Sequence, residues 1–84
     1  MTVNEAIPKY LQKVKVAGNE STYKYYTQYF RFISEFIGDI EIESLSKYDV
    51  NDMLAAKRVK SPNISNATLN KFIQVTKTLY KYIN

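Results

Sequence analysis

Two sets of polar side chains recur at helical spacing in this sequence. Lys24, Gln28 and Arg31 stand at i, i+4 and i+7, with Ser21 and Thr22 just before them and Tyr25 alongside. Asn66, Thr68, Asn70, Lys71, Gln74 and Lys77 form the second set. Lysine and arginine neutralise phosphate, while asparagine and glutamine can pair with base edges. A hydroxyl at a helix start lies beside free amides and the positive end of the dipole, where a phosphate is favoured. The chemistry these residue types share is contact with the phosphates and base edges of a nucleic acid. An ordinary solvated helix surface carries the same residues, so the charge pattern has to weigh between the two.

Net charge is +4, and it is segregated. Residues 35–52 hold Glu35, Asp39, Glu41, Glu43, Asp49 and Asp52 against one base, Lys47. Elsewhere the only acids are Glu5 and Glu20, set against eleven bases. An acidic middle between basic flanks gives the molecule a face suited to a polyanion.

The same composition argues against catalysis. There is no cysteine and no histidine, which removes thiolate zinc sites, thiol nucleophiles and the commonest general base. The eight tyrosines invite a tyrosine nucleophile. That chemistry needs a cluster of cations around the phosphate, and Arg31 and Arg58 are the only arginines. Tyr10, Tyr26, Tyr29 and Tyr80 fall on apolar stripes, so packing accounts for them, while Tyr23, Tyr25, Tyr48 and Tyr82 are expected at the rim. The acidic residues Glu35, Asp39, Glu41 and Glu43 lack the ligand spacing and central glycine of a calcium loop. Gly18 and Gly38 are isolated and make no phosphate loop. No catalytic residue, metal or cofactor is expected in this chain.

The elements that must position the two polar sets are helices. A chain of 84 residues, 45% hydrophobic, makes one domain spanning residues 1–84. Two glycines and two prolines are few for an all-β fold. The first segment, Val3 to Val16, is opened by a Thr2/Glu5 capping box and carries Val3, Ile7, Tyr10, Leu11 and Val14 as its stripe. Pro8 should bend it or delay its start, and Gly18 suits a left-handed terminus. The second, Thr22 to Ile37, has Ser21 as expected N-cap and Tyr26, Tyr29, Phe30, Ile33 and Ile37 as stripe, widened by Phe32 and Phe36. Ile40, Ile42 and Leu45 read as an extended connector plugging the core. The third, Lys47 to Arg58, has a Ser46/Asp49 cap and turns Val50, Met53 and Leu54 inward. The fourth starts after Ser65 or Asn66, with Leu69, Phe72, Ile73, Thr76, Tyr80 and Ile83 as its stripe. Four such helices are expected to pack as a compact all-α four-helix bundle.

The order of these segments resembles the N-terminal core-binding (SAM-like) domain of phage integrases and Xer-type tyrosine recombinases. The resemblance is carried by Thr2-Val3 through Tyr10-Leu11, then Ser21-Thr22 with Tyr26, Phe30 and Phe36-Ile37. It continues with Ile42-Glu43-Ser44-Leu45-Ser46-Lys47-Tyr48-Asp49-Val50, with Ser65-Asn66-Ala67-Thr68-Leu69-Asn70-Lys71, and with Leu79-Tyr80-Lys81-Tyr82-Ile83. It covers nearly the whole chain. No single stretch is diagnostic, but their order and spacing together are fairly specific. The resemblance implies one half of a clamp around a recombination core site, with the second and fourth helices facing DNA. It also implies a catalytic domain C-terminal to residue 84, so that this fragment binds DNA in integration and recombination without cutting it. Other recombinase protomers on DNA would be further partners, and the isolated fragment is expected to be monomeric. Glu20 departs from the pattern by placing an acid beside the DNA face.

Two alternatives stand beside this reading. A helical protein-interaction module would use the exposed tyrosines and acidic middle and lack DNA affinity. A helix-turn-helix regulator would need a shorter turn than Lys60 to Asn66. No apolar run approaches the roughly 18 residues of a membrane span, and a cytoplasmic location is the expectation.

Overall fold

A computed structural model describes residues 1–83. It is an all-α bundle of four helices: α1 (Val3–Val16), α2 (Glu20–Ile37), α3 (Lys47–Lys60) and α4 (Asn66–Ile83), with a short 3-10 turn at Ile42–Ser44. Among the described residues, no helix is long and apolar enough to cross a membrane.

Local chemistry sets the helix starts. The Thr2 hydroxyl accepts from the Glu5 amide at 3.2 Å, and the Glu5 carboxylate accepts from the Thr2 amide at 2.8 Å. The Thr2 amide donating to it, and then the Thr2 hydroxyl beside it, hold the Glu5 carboxyl below its ordinary value. Ser46 and Asp49 repeat the reciprocal cap on α3. Helix α2 begins earlier than the sequence pattern suggests. Asn19, not Ser21, is its N-cap, because the Asn19 side chain reaches the Thr22 amide at 3.0 Å. Ser21 therefore lies within the first turn. Pro8 sits inside α1 without delaying its start at Val3. Gly18 takes φ +80°, the left-handed conformation expected of it after α1.

The core is built from one side of each helix. Val3, Ala6, Ile7, Tyr10 and Val14 of α1 meet Tyr29, Phe30, Ile33 and Ile37 of α2, Met53 of α3, and Phe72, Val75 and Leu79 of α4. Leu11, Tyr26, Phe32, Ile73 and Ile83 are half-buried, and two expected stripe members are exposed. Phe36 is 44% exposed and Tyr80 is 39% exposed. Val75 and Leu79 are buried in place of Tyr80, so the inner face of α4 is rotated from the one the periodicity suggests.

The connector after α2 is tied to the start of α1 by backbone bonds. The Val3 amide donates to the Ile40 carbonyl, the Asn4 amide to Gly38 and the Ile42 amide to Met1, each at 2.9 Å. Thr2 and Glu41 form a single antiparallel bridge. The segment is thus partly extended, as expected, and then tightens into the 3-10 turn that drives Ile42 fully into the core. Gly38 is needed here for close approach: a Cβ would collide with the Ser34 carbonyl and the Asn4 side chain. The Ser34 hydroxyl donates to the Asn4 side-chain oxygen across the same contact.

Candidate nucleic-acid interface

The polar set of α2 is solvent-exposed, but it is electrically balanced. Lys24, Gln28 and Arg31 all lie outside the core, opposite Ile33 and Ile37. Glu20 and Glu35 share that outer side, because 20, 24, 31 and 35 follow the three- and four-residue steps of one helix face. The Lys24 ammonium lies 3.7 Å from the Glu20 carboxylate. The Thr22 amide is already bonded to Asn19, so the start of α2 offers fewer free donors than the sequence alone implies. Ser21 is exposed and Thr22 half-buried. Tyr25 is exposed at one edge, with its ring 4.9 Å from Tyr29 and 5.3 Å from Tyr26. Burial, then the neighbouring phenols of Tyr29 and Tyr26, push the Tyr25 hydroxyl above its ordinary value. It is a neutral donor rather than a phenolate.

Helix α4 differs. No acid occurs between Asn66 and Ile83. Asn66, Asn70, Lys71, Gln74 and Lys77 are all exposed, while Thr68 is half-buried. Ser65 caps the helix, its hydroxyl accepting from the Thr68 amide at 3.2 Å and lying 3.0 Å from the Thr68 hydroxyl. Thr68 is therefore occupied locally, and its neighbours carry the open polar valence.

The tertiary fold adds bases that sequence spacing did not bring to this set. Arg58, near the end of α3, donates from its guanidinium to the Asn66 side-chain oxygen at 3.2 Å. The Lys57 ammonium sits 5.0 Å from the Phe32 ring centre and 5.6 Å from that of Phe72. Lys60 lies 5.5 Å from Phe32. Phe32 and Phe72 themselves meet edge-on at 5.7 Å. An aromatic floor from α2 and α4 thus holds the cations of α3 beside the first turns of α4, since an ammonium is attracted to a ring face. Lys57, Arg58 and Lys60 were legible only as a basic helix end, where cations complement the dipole. Their place beside Asn66 depends on the turn through Ser61–Ser65.

The predicted residues therefore separate into three places. Asn66 meets Arg58 of α3, with Asn70 one turn further along the same side of α4, while Lys71 and Gln74 are exposed elsewhere on the outside of that helix. Ser21, Lys24, Gln28 and Arg31 occupy the outer side of α2, and α2 reaches α4 through Tyr29 and Phe32 against Phe72. Lys77 lies further along α4, where it lines a groove with Lys47 and Lys81. Among the described residues, no group of three or more acids forms a cluster able to hold a metal ion.

No protein-family model, curated protein or solved structure matches the chain.

Proposed function

We propose that this chain binds double-stranded DNA through the junction of α3 and α4, as the core-binding module of a tyrosine recombinase. The recombinase assignment rests on the sequence resemblance, and the binding surface rests on physics. Lys57, Arg58, Lys60 and Lys71 supply charge for phosphates, while Asn66, Asn70 and Gln74 supply paired donors and acceptors for base edges. The observation that carries the reading is the Arg58–Asn66 hydrogen bond, which brings a basic helix end against an acid-free helix start. The outer side of α2 joins as a second, weaker contact, its two bases offset by two acids. The chain grips its site and leaves strand cleavage to catalytic groups elsewhere in the recombinase.

The test is an NMR titration of the labelled domain with a short duplex at two salt concentrations. Shifts concentrated at residues 57–60 and 66–74, weakening with salt, are expected. Neutralising about four phosphates gives a slope of log K against log salt of about −3.6. Binding that ignores salt, or the absence of shifts at low salt, would refute it.

A further inference from the structure

Farther along the face of α4 that carries Asn66, between the start of α3 and the C-terminal half of α4, lies a groove of about 490 Å³. Leu45 and Val50 form one wall, Ile73 and Tyr80 the other, and Thr76 lies between them. Lys47, Lys77 and Lys81 stand on its rim, and no acid lines it. Leu45, Val50 and Ile73 are only half-buried, so apolar surface remains open to solvent. A polyanion needs charge but has no use for an apolar floor, so the lysines and the floor together specify something other than a nucleic-acid backbone.

We infer that this groove takes an amphipathic helical peptide of a partner protein, with apolar anchors flanked by Asp or Glu. The floor accepts side chains spaced i, i+3 and i+4 along one face of such a helix. The rim lysines pair with acids on its flanks and set its orientation, since rim charges govern encounter and register. From Ile73 to Lys81 the groove follows about two turns of α4, roughly 12 Å, which matches a short peptide rather than a broad protein face. This inference stands apart from the DNA reading, because Lys47 and Lys81 belong to no part of the proposed DNA surface.

A random peptide display library selected against the intact domain tests it. The expected result is enrichment of sequences with apolar residues at i and i+3 or i+4 and acids beside them. A synthetic copy of the winner should shift the amides of residues 45–51 and 73–81. Its affinity should fall at least tenfold in the double variant Lys47→Glu, Lys81→Glu, both exposed positions whose reversal leaves the core untouched. A consensus without acids, enrichment of nothing, or full binding to the double variant would overturn the proposal. So would concentration-dependent dimerisation of the peptide-free domain with shifts confined to this groove, which assigns it to a second copy. Equal binding of an acidic peptide stripped of its apolar anchors reduces the groove to a polyanion site and overturns it as well.

Discussion

Helices α2 and α4 are both 18 residues long, and each buries one apolar side in the same core. Their outer sides share a pattern of lysine, glutamine and asparagine or arginine at helical spacing. Yet α2 carries Lys24 and Arg31 against Glu20 and Glu35, whereas α4 carries Lys71, Lys77 and Lys81 against no acid. Periodicity therefore locates a solvent face without saying what that face attracts. Net charge on the face, and the neighbours the fold brings to it, make the difference. For α4 those neighbours are the cations of α3.

The strongest test of this comparison asks whether the inner sides are equivalent. Ile33 of α2 and Leu79 of α4 are each at most 1% exposed. Ile33→Ala and Leu79→Ala should each destabilise by about 2–5 kcal/mol, the usual cost of emptying a packed aliphatic site. Denaturant unfolding of both variants checks it. A loss below about 1 kcal/mol at one site only would break the symmetry and mark that helix as peripheral.

The outer sides should then differ. Arg58→Ala and Lys71→Ala are expected to weaken duplex binding by about fivefold to tenfold on any DNA sequence. Each should lower the salt slope by about one phosphate's share. Lys24→Ala should cost about twofold, because Glu20 already shares its charge. Fluorescence anisotropy at two salt concentrations ranks the three. A Lys24 effect as large as that of Lys71 would move the DNA surface onto α2.

Cap removal probes the helix starts. Asn19→Ala on α2 and Ser65→Ala on α4 should each cost about 1 kcal/mol, since each leaves an amide at the helix start without its side-chain acceptor. A cost near zero at Ser65 alone would show that the start of α4 is held by Arg58 and Asn66 instead. The smallest effect is the most direct conversion of one face into the other. Glu35→Gln removes one of α2's two acids and should tighten DNA binding about twofold, read from the same anisotropy titration. Weaker binding in that variant would mean that Glu35 organises the surface rather than repelling phosphate.

Thr2 with Glu5, Ser46 with Asp49, and Gly18 after α1 were legible from the sequence, as were four helices and their all-α class. Each of these depends on atoms within a few residues of one another, and a chain writes such interactions in order. The acidic middle and the acid-free last helix are equally a property of the sequence alone. Asn19 and Ser21 both fit the chemistry of an N-cap for α2, and only backbone geometry chooses Asn19.

The tertiary structure decided the rest. Tyr80 and Phe36 fit their apolar stripes yet emerge into solvent, while Val75 and Leu79 go inside. Successive residues differ by about 100° around a helix, so a small change in how α4 lies on α2 swaps which residues are covered. Periodicity does not contain that rotation. Nor does it contain the meeting of Arg58 with Asn66, of Lys57 with Phe32 and Phe72, or of residues 45–51 with 73–81 across a groove. These contacts join separate elements, and they follow from the angles at which four apolar sides close on one core.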